Sequence, residues 1–115
     1  MKLAVVGSRG FQDSERLGSC LDRYQGQIEC IVSGGARGAD TLAADYARAH
    51  GIALKEYLPE YDRYGRAAPI LRNRLIVDDC DTLIAFWDGK SHGTRDSIDH
   101  ARRSGKQVII ELFTP

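Results

Sequence analysis

The stretch Ile31–Asp40, IVSGGARGAD, decides how the rest of the chain is read. A short β-branched run breaks into three glycines and an arginine, then passes at once into an alanine-rich helical pattern. Two readings fit. Gly34 and Gly35 can simply close a tight strand-to-helix turn, with Asp40 as the helix cap. Alternatively Ser33, Gly34, Gly35, Ala36, Arg37 and Gly38 form a cradle in which backbone and helix start approach an anion, with Arg37 adding charge. Either way the stretch is a βα junction.

Four more runs rich in apolar residues lie outside it: Leu3–Val6, Ala53–Tyr57, Thr82–Phe86 and Gln107–Leu112, with Ile28–Val32 leading into the junction itself. Helical periodicity separates them. Leu17, Cys20, Leu21 and Tyr24 share one face of Ser14–Tyr24, and Leu42, Ala43, Tyr46, Ala47 and Ala49 are expected inward on Asp40–His50. Ala68–Asp79 carries Ile70, Leu71, Leu75 and Ile76 and admits Pro69 in its first turn. Thr94–Ser104 carries Ile98 and Ala101 and stops at Gly105. Strict alternation of continuous apolar strands with helices predicts one α/β domain over residues 1–115, a parallel sheet with helices on both faces. Ligands of such sheets sit at the carboxyl ends of the strands, beside the point where strand order reverses.

The loops at those ends are alike in chemistry. After the first strand come Gly7, Ser8, Arg9, Gly10 and Phe11. After the fourth come Trp87, Asp88, Gly89, Lys90, Ser91, His92, Gly93 and Thr94. Trp87 either packs under its loop or offers a flat face to a base. Gly93 and Thr94 can present donors at a helix start, and Lys90 supplies charge. In RYGRAAPILRNRL, Tyr64, Arg66, Arg72, Asn73 and Arg74 lie just before or within the first turns of the third helix. Arg72 and Asn73 could there reach a phosphate and a ribose; a solvated basic face is the plain alternative. All strands point one way, so Arg9, Arg37 and Lys90 project from one edge of the sheet. A phosphorylated ligand suits such a glycine-lined, cationic mouth.

Composition narrows the classes. Lys and Arg number 16, as do Asp and Glu, for a net charge of zero. That speaks against a surface built throughout for nucleic acid. Three scattered cysteines, Cys20, Cys30 and Cys80, form no CxxC pair or Cys/His cluster, so neither a metal nor a disulfide framework is expected. No cofactor is implied. No run approaches the ~20 apolar residues of a membrane span, and the amino terminus lacks a signal-peptide pattern. The expected setting is cytoplasmic, without a membrane partner. A Walker loop would need Lys and Ser/Thr where Ala39 and Asp40 stand, and GGxxG after the second strand is not the dinucleotide fingerprint.

VVGSRGF, VSGGARGAD, RNR and DTLIAFWDGKSHGT, in this order across nearly the whole chain, closely resemble the SLOG superfamily, most of all its YspA-like (YpsA-related) branch. Its other members include the DNA-processing protein A domain, molybdenum-cofactor carriers and cytokinin-activating phosphoribohydrolases. The resemblance implies a Rossmann-like sheet of order 3-2-1-4-5, a nucleotide or nucleotide-derived ligand at the loops described, and room for a homodimer. It also bears on catalysis. The phosphoribohydrolases use a pattern RK…PGGxGTxxE. Arg72 aligns with its arginine and Gly93-Thr94 with its GT, but Asn73 replaces the lysine and Ser97 the glutamate. If a hydrolase remains, Arg72 acts with a carboxylate from Asp40, Asp88 or Asp96. The implied reading is a nucleotide sensor or carrier, with an N-glycosidase of nucleoside monophosphates as alternative. A single-stranded DNA binder comes third, since only Trp87 and Phe11 offer stacking surfaces.

Overall fold

The computed structural model describes residues 1–115. Five parallel strands, β1 (Lys2–Gly7), β2 (Cys30–Ser33), β3 (Ala53–Glu56), β4 (Thr82–Trp87) and β5 (Gln107–Leu112), form one sheet of order β3-β2-β1-β4-β5. Between them lie α1 (Ser14–Asp22), α2 (Ala39–Ala49), a single turn α3 (Tyr61–Tyr64), α4 (Ala68–Asp78) and α5 (His92–Arg103). A 3-10 turn, Gly65–Ala67, links α3 to α4. The expected fold class and strand order are both found. No helix is long and apolar enough to cross a membrane.

The central strands explain the two-sided architecture. Side chains alternate between faces along a strand, so a continuous apolar run supplies two cores. Leu3 and Val5 of β1 join Ile31, Ile84 and Phe86 in one core, under Leu17, Cys20 and Leu21 of α1 and Ala43, Tyr46 and Ala47 of α2. Ala4 and Val6 join Val32, Leu83 and Ala85 in the other, under Ile76 and Val77 of α4 and Ile98 and Ala101 of α5. Small residues on β1 and β4 let α4 and α5 sit close to the second face. Phe11 is 1% exposed, stacked on Phe86 at 4.5 Å and met edge-on by Phe113 at 5.0 Å. It is a core residue, and its expected availability for stacking on a base is not found.

Two helices depart from the one-face expectation. On α2, Ala44 is buried, and Ala49, the last residue of the helix, is exposed. On α4, Ile76 and Val77 face the sheet while Ile70 and Leu75 are exposed. The turn α3 begins two residues before RYGRAAPILRNRL, and no periodicity in the sequence marks it as a separate element.

Strand order reverses between β1 and β4. β1 pairs with β2 on one side and β4 on the other, with Gly7 opposite Phe86 and the Ser8 amide donating to the Phe86 carbonyl at 2.9 Å. The loops after β1 and β2 are pressed together at this switch. Gly38 has φ 86° and ψ −130°, and a Cβ there would stand 2.6 Å from the Ser8 carbonyl oxygen. Such a backbone conformation is essentially reserved for glycine. Far from the sheet's mouth, Asp79 gathers Lys2 Nζ at 3.0 Å, Lys55 Nζ at 2.9 Å and the Tyr57 hydroxyl at 2.9 Å, tying β1 and the β3 region to the end of α4.

These contacts set a contrast between two glycines. Gly38→Ala is expected to lower the unfolding free energy by at least about 1–3 kcal/mol, since strain and a backbone clash add. Gly18→Ala, inside α1 with nothing within 4 Å of the added Cβ, is expected to raise it by roughly 0.5–1 kcal/mol. Urea denaturation of both variants checks the pair.

Candidate ligand-binding cleft

At the carboxyl edge, four segments enclose a cleft of about 470 Å³. Only three of its sixteen lining residues are hydrophobic, so its walls are mostly polar. The β1 loop contributes Gly7, Ser8, Arg9 and Gly10; the β2 loop contributes Ala36 and Asp40. From α4 come Pro69, Arg72, Asn73 and Ile76, spaced i, i+3, i+4 and i+7, which is one helical stripe. From α5 come Gly93, Thr94 and Ser97, on a neighbouring stripe, preceded by Asp88 and Ser91.

The glycine loop is braced by an acid and a base. Asp40 turns back from the first turn of α2, and its Oδ2 accepts the Ala36 amide at 3.1 Å, while the Gly34 amide also favours its charged form. Arg72 reaches the opposite polarity: its Nη1 donates to the Gly34 carbonyl at 2.6 Å, and its Nε donates to Asn73 Oδ1 at 2.9 Å. The loop thus carries an internal anion. Two of the loop amides expected to greet a phosphate, those of Ala36 and Gly34, are turned to Asp40 instead. Gly34 is clasped by Arg72, where a Cβ would stand 2.6 Å from Nη1.

Burial dominates the electrostatics of this pair. Asp40 is 7% exposed, and desolvation lifts its carboxyl from 3.8 to about 6, against the pull of the Ala36 amide and the Arg72 charge. Burial likewise pushes the half-buried Arg72 guanidinium below its usual value, with Asp40 opposing. Arg72 stays cationic at neutral pH. Its hydrogen bonds within the chain use Nε and Nη1, and Nη2 has no protein partner.

Across the cleft, a closed circuit fixes the start of α5. The Asp88 amide donates to Ser8 Oγ at 3.2 Å, the two hydroxyls Ser8 Oγ and Ser91 Oγ lie 2.8 Å apart, and Ser91 Oγ lies 3.0 Å from both Asp88 carboxylate oxygens. Asp88 Oδ1 also accepts the Ser91 and Lys90 amides at 2.8 and 2.9 Å. These amides hold the Asp88 carboxyl down at about 2. Ser97 Oγ donates to the Gly93 carbonyl at 3.3 Å. The first chain amide of α5 with a backbone acceptor is that of Arg95, on the Ser91 carbonyl. The amides of Gly93 and Thr94 therefore remain open, as the first turn of a helix must leave them.

The structure gathers Gly7, Ser8, Arg9, Ala36, Asp40, Arg72, Asn73, Asp88, Gly93 and Thr94 from the expected set around one cleft. It leaves others outside. Ser33 is fully buried with its Oγ unpartnered. Gly35 has φ 69° and faces Leu58 and Glu56, the Leu58 methyl lying 2.6 Å from a would-be Cβ. Arg37 and Lys90 are exposed away from the lining, and Gly38 serves loop packing. Trp87 packs beneath its loop and donates its indole N–H to the Ser91 carbonyl at 3.0 Å, bracing α5 rather than facing the cleft. Asp96 also lies outside, one Oδ2 buried without a partner. Ser91 was passed over, although Asp88 three residues earlier is the spacing of a capping turn. No three His, Cys, Asp or Glu side chains gather closely enough to hold a metal ion.

A doubly wound sheet with a polar cleft at its switch point defines the class: a Rossmann-like α/β domain. Residues 1–64 match the YspA, cpYpsA-related SLOG family, and the chain belongs to that family. A curated relative, the Gene 61 protein of Mycobacterium phage D29, is 35% identical over 118 residues, covering 94% of each chain. DNA processing protein A of Streptococcus pneumoniae superposes with a TM-score of 0.81 at 23% identity over 95% of this chain, which spans 49% of that one. The Helicobacter pylori protein of the same name, described for its single-stranded DNA binding mode, gives 0.76 at 20% identity, over 96% of this chain and 64% of its own. At these identities the two structures carry the fold alone.

Asp40 makes a pH prediction. Its folded-state pKa lies above its unfolded value, so its contribution is fully present below about pH 4 and lost as pH rises through about 6. Between pH 4.5 and 7.5 the parent is expected to lose roughly 2 kcal/mol relative to Asp40→Asn. The variant keeps an oxygen for the Ala36 amide and removes the titration. Urea unfolding at the two pH values measures the double difference.

Proposed function

We propose that this cleft binds a nucleotide or nucleotide-derived ligand by its phosphate, as a sensor or carrier. The observation that carries the reading is the half-buried Arg72, whose free Nη2 edge shares one cleft with the open Gly93 and Thr94 amides. A guanidinium and a helix start together suit a phosphate oxyanion. Arg9 adds charge at the rim, and Asn73 and the Ser8–Ser91 hydroxyls suit ribose or phosphate oxygens.

Occupied carboxylates favour binding over hydrolysis. A glycosidase needs one carboxylate poised on the sugar or its water. Asp40 is spent on the glycine loop, Asp88 on the α5 turn, Asp96 lies off the cleft, and Ser97 stands at the position where the hydrolases carry glutamate. Single-stranded nucleic acid is a second reading, which the likeness to the H. pylori protein brings forward. The balanced charge and the buried Phe11 weigh against it.

Arg72→Ala is expected to weaken a nucleoside 5′-monophosphate by about 1.5–3 kcal/mol, the range for a hydrogen bond to a charged group, and the free nucleoside by much less. Calorimetric titration of both ligands checks this. Equal losses would make Arg72 a brace of the Gly34 loop alone. Release of free base on prolonged incubation would favour the hydrolase.

A further inference from the structure

A second cleft, of about 740 Å³, adjoins the first on the far side of Arg72. Its chemistry is different. Half of its twelve lining residues are hydrophobic, against three of sixteen in the polar cleft. Leu58 is 64% exposed, Leu75 53% and Tyr64 41%, an unusual concentration of large apolar side chains left to water.

The two clefts are parts of one surface. Arg72 lines both, and its Nη1 lies 3.5 Å from the Tyr57 carbonyl, which belongs to the second. The glycine loop forms the same divide: Ala36 faces the polar cleft, whereas Gly35 abuts Leu58 and Glu56 on the other side. Each cleft lies within the range of about 300–1,000 Å³ that holds a small organic ligand. The pair has room for two nucleoside halves joined through phosphate.

Resting on the nucleotide reading of the polar cleft, we propose that the second cleft is an annex for the far base of a dinucleotide-type ligand, two nucleosides joined by a pyrophosphate. The phosphates lie at Arg72, which both compartments share. The base lies against Leu75 and the ring of Tyr64, one face of which meets the Arg63 guanidinium at 5.1 Å. Glu56 and Glu60 at the rim accept hydrogen bonds from exocyclic amino groups or ribose hydroxyls. An alkyl chain would make no use of those carboxylates. The shared arginine is what ties this apolar surface to a phosphorylated guest.

The test compares the four nucleoside 5′-monophosphates with their symmetric dinucleoside 5′,5′-pyrophosphates by calorimetry, on the parent, Tyr64→Ala and Leu75→Ser. At least one pyrophosphate is expected to bind about tenfold tighter than its monophosphate, the scale of stacking one base. Either substitution should remove most of that advantage and leave the monophosphate affinity within about twofold, which also shows that the variants fold. Equal affinity for both ligands, with the monophosphate still bound, would overturn the annex and spare the polar cleft. Binding of neither would overturn both readings. Tighter, salt-sensitive binding of a deoxyoligonucleotide than of any pyrophosphate would assign the surface to a nucleic-acid strand instead. Dissociation of a dimer by Leu75→Ser in sedimentation would assign it to a second copy of the chain.

Discussion

The Asp40 carboxylate, held inside the glycine loop, is the constraint on which this mouth depends. A buried carboxylate is costly unless it is paired and hydrogen-bonded, and Asp40 finds the Ala36 amide and the Arg72 charge. Arg72 in turn needs acceptors for its half-buried guanidinium and takes the Gly34 carbonyl. One loop therefore satisfies an acid and a base at once, its amides serving the first and its carbonyl the second. Removing Asp40 strands the Ala36 amide and removing Arg72 strands the Gly34 carbonyl, a loss of about 1–3 kcal/mol for a buried polar group.

That bracing redistributes the roles of the loops. A glycine-rich turn that closes on its own carboxylate cannot also close on a phosphate with the same amides. On the proposed reading the anion lies across the cleft at the start of α5, where the Ser8–Ser91–Asp88 circuit and the Trp87 indole brace the turn. The glycine loop instead aims Arg72 and separates a polar compartment from an apolar one. Function on this account comes from division of labour: α4 supplies the cation, α5 the open amides, and β1 the small residues that leave space between them.

The fold was legible because each signal was redundant. Continuous apolar strands such as Leu3–Val6 and Leu83–Phe86 can only be buried on two faces, and helices of matching period supplied the covers. The stripe Arg72, Asn73 was legible as well, since Pro69 fixed where its helix begins. Orientation was not. Gly35 reads as a phosphate contact in one dimension, yet its positive φ turns it toward Leu58. Phe11 follows a strand end like a loop aromatic, but Phe86 and Phe113 draw it under the sheet edge. Asp40 reads as a helix cap in any such sequence. Only the turn of the chain shows that it caps the loop before its own helix. The second cleft was not legible because its walls come from Glu56–Glu60, the turn α3 and α4 residues whose apolar pattern suggests a core face.

The most direct test of the central claim is an amide-resolved NMR titration of the protein with the nucleoside 5′-monophosphates. If the phosphate lies between Arg72 and the α5 start, the largest shifts fall on Ser91, Gly93, Thr94 and the Arg72 side chain, while the Ala36 amide, already bonded to Asp40, moves little. Shifts concentrated on Gly34–Arg37, with Gly93 and Thr94 unmoved, would contradict the account and return the phosphate to the glycine loop.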